Sequence, residues 1–156
     1  MSDSWEKKVS GDDCPMENRG TDFEKHYYFV RKFASSTLYL NRNQTYRGYC
    51  VLVYDTSHVT RIDQLSVDDW TILAKDIHKA EIAVYKTVQP DHINVANLGM
   101  VVPHLHWHII PRYKSDPRWG GPIWTADLAD MDMQLLKEQD YRQIAGSINH
   151  VLDTLN

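Results

Sequence analysis

The sequence predicts an α+β domain in which an antiparallel five-stranded sheet is covered by a long central helix and a C-terminal helix. Two observations support this fold class. Short runs rich in β-branched and aromatic residues are separated by turn-forming residues, which is typical of strands. Two longer segments, one central and one C-terminal, carry apolar residues at the helical period of 3.6. With 156 residues, the chain is long enough to enclose one hydrophobic core.

Five strands are predicted, at residues 28–30, 36–40, 48–54, 92–97 and 104–111. The polar segment 41–44 separates the second strand from the third and favours a turn, so these two strands should pair in antiparallel fashion. The glycine-containing segment 99–103 connects the fourth strand to the fifth.

The central helix is expected to begin at Ser66. Asp69 follows three residues later, as in a capping box, and Asp68 suits the positive end of the helix dipole. Apolar residues then follow the helical period until Pro90 ends the helix. A second helix is predicted from about residue 132 to residue 155, with five apolar side chains on one face: Tyr141, Ile144, Ile148, Val151 and Leu155.

Composition limits the classes of function. Apolar residues make up 42% of the chain and charged residues 24%, which is ordinary for a soluble globular protein. The net charge of −4 argues against a nucleic-acid-binding surface. No apolar run reaches membrane-spanning length, and the N-terminal residues lack the apolar core of a signal peptide. We therefore expect a cytoplasmic protein that binds neither nucleic acid nor membranes.

The first residues of the chain are polar and contain the turn-forming run 10–13. We expect a flexible N-terminal arm over residues 1–20, followed by a single domain over residues 21–156. The two cysteines, Cys14 and Cys50, are too few for a disulfide framework.

The strongest functional signal is the segment 104–110, HLHWHII. Successive side chains of a strand point to opposite faces, so His104, His106 and His108 are expected on one face. The apolar residues between them would anchor the other face in the core. Because the unperturbed pKa of imidazole lies near 6.5, each histidine can act as a nucleophile, an acid or a base at neutral pH. We expect the chemistry of the protein here.

Two other interpretations of this array stay open. The first is an exposed strand face that happens to be polar, although chance seldom places three histidines in register. The second is a metal site, because imidazole is the commonest metal ligand. Against it, no carboxylate adjoins the three histidines, and the nearest acidic residue downstream is Asp116. The other histidines lack a partner pattern and are expected on the surface or in structural contacts: His26, His58, His78, His92 and His150.

With this array the chain resembles the histidine triad (HIT) family of nucleotide hydrolases and transferases. The family signature is His-φ-His-φ-His-φ-φ, where φ is apolar, and residues 104–110 match it at every position. Residues 38–42, followed by Gly48 and the apolar run 50–53, look like the nucleotide-binding hairpin of the family. The similarity covers roughly residues 22–111.

The resemblance implies a role for each of the three histidines. His106 would be the nucleophile that attacks the α-phosphorus of a nucleotide and becomes transiently nucleotidylated. His108 would contact the non-bridging phosphate oxygens. His104 would orient and polarise the site through a backbone hydrogen bond that fixes a tautomer.

Substrate-binding residues are implied in the same way. Asn41 would bind the ribose, while Asn97 and the backbone around Gly99 would lie near the phosphates. The segments 99–103 and 116–124 resemble a bacterial-type branch of the family.

Three residues after the triad have two interpretations each. Trp119 would either stack on a nucleobase or pack its loop onto the core. For Trp124, packing against the core or a partner subunit is preferred over a contact with ligand. Arg112 would either meet a phosphate or remain a solvated charge at the strand end.

The activity implied by the resemblance is hydrolysis of a nucleotide conjugate at its α-phosphate, with release of a nucleoside monophosphate. Dinucleoside polyphosphates and nucleoside phosphoramidates are the expected substrate classes. A nucleotidyl transferase and a catalytically silent nucleotide-binding protein are the alternatives. We expect no cofactor held by the protein, Mg²⁺ only as a companion of a polyphosphate substrate, and a homodimer.

Three departures from the family pattern stand out. Many members carry a glutamine and a hydroxyl residue shortly before the triad, whereas residues 99–103 offer neither, so the leaving group has no obvious side-chain proton donor. Tyr49 stands where a histidine often follows the glycine matched by Gly48. Some members have a Cys-x-x-Cys pair of zinc ligands, but here Glu17 follows Cys14 at that spacing, so no bound metal is expected.

Overall fold

The structure is a computed structural model that describes residues 2–124 and 133–155. One antiparallel five-stranded sheet has the order β1-β2-β3-β5-β4, which confirms the predicted α+β fold class. The strands are β1 at Tyr27–Lys32, β2 at Ser36–Asn41, β3 at Cys50–Tyr54, β4 at His92–Ala96 and β5 at His106–Arg112. The described helices are α1 at Ser2–Ser10, α2 at Thr21–Glu24, α3 at Val67–Val88 and α4 at Glu138–Asp153. Within the described residues, no helix has both the length and the apolar composition needed to cross a membrane.

Helix α3 begins and ends where the sequence predicts. The Ser66 hydroxyl accepts a hydrogen bond from the Asp69 backbone N–H at 3.1 Å, which satisfies one of the free N–H groups at the helix start. At the other end Gln89 adopts the left-handed conformation with φ 47°, directly before Pro90. The helix packs on β3 and β5 and, together with α4, encloses the main apolar core.

Strand β5 turns its apolar side chains toward these helices and its histidines toward the opposite face of the sheet. Trp107 and Ile109 belong to the main core. Because side chains alternate along a strand, His106 and His108 project from the other face. They lie in the middle of the sheet, since β5 is paired with β3 on one side and with β4 on the other.

The triad strand starts later than predicted. β5 begins at His106, and His104 precedes it. The backbone N–H of Leu105 donates to the Val59 carbonyl at 2.8 Å, while the Leu105 carbonyl accepts from Tyr54 at 3.0 Å. The chain therefore leaves the regular ladder at Leu105, and the side chain of His104 is free to enter a different cluster.

The N-terminal segment, predicted to be a flexible arm over residues 1–20, contains helix α1 and packs on the open face of the sheet. Cys14 and Met16 are buried in a second apolar cluster with side chains of β3 and β5. Arg19 forms an ion pair with Asp55, just after β3. A central strand carries apolar side chains on this face too, and their burial favours a covering segment. The polar composition of the arm conceals its two buried residues.

Helix α4 begins at Glu138 rather than near Asp132, which lies outside the described residues. The physical reason is a competing backbone contact: the Gln44 N–H donates to the Gln134 carbonyl at 2.8 Å and keeps this stretch extended beside the β2–β3 turn. The predicted apolar face of the helix does pack on the main core.

Candidate active site

His106 and His108 form a close pair on the open face of β5. Their Nε2 atoms lie 3.2 Å apart, and His106 is only 5% exposed. The Nδ1 of His106 lies 2.7 Å from the backbone carbonyl oxygen of His104. A carbonyl oxygen only accepts hydrogen bonds, so Nδ1 of His106 carries the proton and Nε2 of the neutral ring holds a lone pair. The backbone carbonyl of His104 is thus placed to fix the tautomer of His106.

Both imidazoles of the pair are neutral near pH 7. Burial lowers the pKa of His106, although its hydrogen bond to the His104 carbonyl acts in the opposite direction. Burial, together with the neighbouring His106, lowers the pKa of His108 to about 4. A neutral imidazole with a free lone pair is the form that can act as a nucleophile.

Tyr49, the residue directly before β3, supports the pair. Its hydroxyl lies 2.6 Å from Nδ1 of His108, and its ring is buried. The preceding Gly48 has φ +88°, and a Cβ there would lie 2.8 Å from both methyl groups of Val88. Glycine is therefore required for the turn that delivers Tyr49. The sequence singled out Tyr49 only as a departure, and its contact with His108 was not foreseen.

The side chain of His104 lies in a separate cluster. Its Nε2 lies 2.7 Å from the Tyr54 carbonyl oxygen, and its ring packs on that of His58 with centroids 5.1 Å apart. Three further polar atoms surround its Nδ1: His58 Nδ1 at 3.2 Å, Glu17 Oε1 at 3.3 Å and Cys14 Sγ at 3.7 Å. We refer to Cys14, Glu17, His58 and His104 as the Cys14 cluster.

The donor atoms of the Cys14 cluster fit a metal ion. Nε2 of His58 lies 3.0 Å from the Val9 carbonyl oxygen, so in both rings Nε2 is the protonated nitrogen. Two neutral rings would then direct the lone pairs of their Nδ1 atoms at each other. A cation between them removes this repulsion, and carbonyl-bound histidines, a thiolate and a carboxylate are ligands that zinc prefers. The expectation that no metal is bound rested on the missing second cysteine, and it stays a prediction.

The three residues predicted to bind the ribose or the phosphates lie at different places in the fold. Asn97 donates from Nδ2 to the backbone carbonyl of His106 at 2.7 Å, so its amide holds the main chain of β5. Asn41 ends β2, and its Oδ1 accepts from the Asn43 N–H at 2.8 Å. Gly99 has φ +98°, and the nearest atom to a Cβ at this position would be the Val102 carbonyl oxygen at 3.8 Å.

A cavity of about 800 Å³ lies beside the histidine pair, between β4 and the loop that follows β5. Trp119 and Trp124 are among its lining residues, and the Trp124 ring packs edge-on against His108 with centroids 5.0 Å apart. The histidine pair itself is not part of the lining. Trp124, for which packing was preferred over a ligand contact, packs against His108, whereas for Trp119 only a place in the cavity wall is seen.

Arg112 corrects both interpretations that the sequence offered. It is buried rather than solvated, and its guanidinium binds Asp116 through two hydrogen bonds of 2.9 and 3.1 Å. It also donates to Asn94 Oδ1 and to the Gly121 carbonyl, both at 2.9 Å. These partners use the donors that a phosphate would need. Arg112 instead anchors the loop carrying the two tryptophans.

Comparisons with known proteins identify relatives of this chain. The sequence model of the HIT domain matches residues 23–115. An uncharacterised HIT-like protein of Methanocaldococcus jannaschii is 30% identical over 106 residues, which cover 64% of this chain and 78% of that protein.

Solved structures show the same fold. A histidine triad protein from Sinorhizobium meliloti has a TM-score of 0.74 at 21% identity and covers 84% of this chain and 93% of its own. A zinc-bound histidine triad family protein from Mycobacterium smegmatis has a TM-score of 0.58 at 17% identity, over 95% of this chain and 93% of its own.

Proposed function

The chain belongs to the HIT family, and on that basis we propose that it is a nucleotide hydrolase that cleaves a nucleotide conjugate at the α-phosphorus. The observation that carries the proposal is the lone pair on Nε2 of His106, which the His104 carbonyl fixes in place at 2.7 Å from Nδ1. This is the arrangement that covalent catalysis by imidazole requires.

Two displacements account for the reaction. In the first, Nε2 of His106 attacks the α-phosphorus, and the bond to the leaving group breaks with its electron pair going to the leaving group. The positive charge on the ring is stabilised because Nδ1–H stays bonded to the His104 carbonyl. In the second, water attacks phosphorus and loses a proton to solvent, and the P–N bond breaks with its electron pair returning to Nε2. The nucleoside monophosphate and neutral His106 are released. His108 Nε2–H would donate to a phosphoryl oxygen in both steps.

Dinucleoside polyphosphates and nucleoside phosphoramidates are the proposed substrate classes. The cavity beside the pair is large enough for a nucleotide-sized group, and its tryptophans offer aromatic faces for a base. Mg²⁺ would enter only with a polyphosphate. The homodimer and the cytoplasmic location implied by the resemblance stay predictions.

The proposal is tested by intact-mass spectrometry of the protein after rapid quenching. The protein is mixed with adenosine and guanosine phosphoramidates and with the corresponding dinucleoside polyphosphates. We expect an adduct with the mass of a nucleotidyl group, followed by release of the nucleoside monophosphate. Nucleotide binding without adduct or release would indicate a silent binding protein. Product formed only when phosphate or a sugar phosphate is added would indicate a transferase, and either result would refute hydrolysis.

We also propose that the Cys14 cluster binds Zn²⁺. Support comes from the Nδ1 atoms of His58 and His104, which lie 3.2 Å apart beside Cys14, with ligand atoms of all three residues within 4.8 Å of one another. The zinc-bound relative in Mycobacterium smegmatis adds to this support. A bound ion would tie the N-terminal segment to the start of β5. At a hundredfold excess of free zinc over Kd, mass action would add about 2.7 kcal/mol to the free energy of unfolding.

Elemental analysis after dialysis against zinc-containing and then zinc-free buffer checks this proposal. We expect equimolar zinc in the parent protein, little in Cys14→Ser, and a chelator-induced drop in Tm of roughly 5 to 10 °C. His150→Ala, which changes an exposed histidine of α4, serves as the control and should keep its zinc. A parent protein that emerges without zinc, or a Cys14→Ser variant that retains it, would overturn the assignment.

A further inference from the structure

We propose that Tyr49 is a positioning residue that holds His108 as the Nε2–H tautomer and thereby keeps the nucleophilic lone pair of His106 available. The inference rests on the proposed function for its catalytic consequence. Its structural part, the proton arrangement, stands on hydrogen-bond geometry alone. No sequence signal assigned this task to Tyr49, which replaces a histidine common in the family.

The positions of the protons can be deduced along a chain of hydrogen bonds that begins at the His104 carbonyl and ends at the Tyr49 hydroxyl. The His104 carbonyl accepts from His106, so His106 Nδ1 is protonated and its Nε2 is not. The two Nε2 atoms lie 3.2 Å apart, and with His106 as acceptor the donor must be His108 Nε2–H. A neutral His108 then has its lone pair on Nδ1. The partner of that lone pair, at 2.6 Å, is the Tyr49 hydroxyl, which must donate.

The reverse arrangement does not satisfy the same contacts. If Nδ1 of His108 donated to the Tyr49 oxygen, a neutral His108 would carry a lone pair on Nε2. Two lone pairs would then face each other across 3.2 Å, since His106 cannot give up its Nδ1 proton without losing the His104 contact. The neutral pair therefore has one consistent proton arrangement, and Tyr49 supplies its first donor.

The surroundings of Tyr49 hold its hydroxyl in place and keep it protonated, so that it can donate a hydrogen bond. Its ring is buried in the apolar cluster of the open face, and Gly48 fixes its point of entry. Burial raises the pKa of the hydroxyl above its ordinary value, although a side-chain hydrogen bond with Asn41 acts against this. The hydroxyl therefore keeps its proton throughout the pH range in which the histidines are neutral.

This arrangement has a consequence for the reaction. When Nε2 of His106 attacks phosphorus, it gives up the hydrogen bond from His108. The released Nε2–H then points at the reacting group and can bind a phosphoryl oxygen, where charge develops. Without the Tyr49 hydroxyl, His108 can take the Nδ1–H tautomer, which presents a lone pair to the phosphate and repels it.

Nitrogen-15 NMR of the histidine rings measures the tautomers directly, without substrate. We expect His108 in the parent protein to be protonated on Nε2 and unprotonated on Nδ1, its signals being assigned with His108→Gln. In Tyr49→Phe, which keeps the ring and removes only the hydroxyl, we expect a mixture of the two tautomers. Tyr46→Phe is the matched control, because the Tyr46 hydroxyl is buried without a hydrogen-bond partner among the described residues.

Kinetics supply the second readout. We expect Tyr49→Phe to lower kcat roughly 10- to 100-fold with little change in KM, by analogy with the removal of hydrogen-bond partners that orient metal-binding histidines. Tyr46→Phe should leave both parameters unchanged.

The NMR measurement tests the role of Tyr49, and the kinetic measurement also tests the proposed hydrolysis, so the two proposals can fail separately. Protonation of His108 on Nδ1 in the parent protein, or an unchanged tautomer in Tyr49→Phe, would overturn the role of Tyr49 whatever the activity. The parent spectrum alone decides the proton arrangement if Tyr49→Phe does not fold. Absence of turnover in every variant, with the expected tautomers present, would refute the proposed hydrolysis and leave the positioning role of Tyr49 intact.

Discussion

Replacing His106 with alanine is expected to lower kcat by roughly 10⁴- to 10⁶-fold, which is the loss typical of removing a catalytic nucleophile. The reason is geometric. Nε2 of His106 holds a lone pair, and this nitrogen is kept unprotonated by two hydrogen-bond partners of the ring, the His104 carbonyl and His108 Nε2–H. His108 cannot replace it, because its own Nε2 is the protonated nitrogen. The change is measured in single-turnover assays with the best substrate of the mass-spectrometry panel.

Binding should survive the same substitution. In the proposed reaction His106 touches only the α-phosphate, and the base and ribose would be bound by other residues. We therefore expect Kd to change by less than about tenfold, or 1.4 kcal/mol. His78→Ala, at an exposed position of α3, controls for the loss of any imidazole and should keep full activity. A His106→Ala variant that retains more than about one hundredth of kcat would show that water attacks the phosphorus without a histidine intermediate.

Features encoded by neighbouring residues were predictable from the sequence. The Ser66 cap and the helical period of α3 are local, and the structure reproduces both. The alternation along β5 correctly separated Trp107 and Ile109, which enter the core, from His106 and His108. In each case the spacing of side chains decides which face they occupy, and spacing is visible in the sequence.

Features that depend on distant contacts were not predictable. Cys14 and His104 stand 90 positions apart, and only the folded sheet brings Cys14, His58 and Glu17 around one atom of His104. The residue at the spacing of a second cysteine is Glu17, and its carboxylate reaches His104 only in the folded chain.

Two other differences have the same origin. The start of α4 is displaced by a backbone contact between Gln44 and Gln134, which belong to separate segments. Tyr49 was visible in the sequence as a departure from the family, but its partner His108 lies 59 positions away. Hydrogen-bond partners across a sheet depend on strand order and register, and neither is encoded locally.

Breaking the buried ion pair between Arg112 and Asp116 is expected to lower the stability of the protein strongly. Their side chains are only 5% and 4% exposed, and Asp116 also accepts hydrogen bonds from the backbone of Tyr113 and Arg118. Removing one member of such a pair leaves an uncompensated charge in the interior. We therefore expect Asp116→Ala to lower the free energy of unfolding by about 3 to 5 kcal/mol, measured by urea denaturation.

The chain offers a matched control for this prediction. Arg61 and Asp63 form the same pair of guanidinium–carboxylate contacts, at 2.9 and 3.0 Å, but both side chains are well exposed. Water and salt screen such a pair, so Asp63→Ala should leave stability unchanged. An equally small effect of Asp116→Ala would mean that the carbonyls around Arg112 suffice to stabilise its charge. A large effect, accompanied by loss of the Trp124 contact with His108, would show that the ion pair holds the cavity wall against the histidine pair.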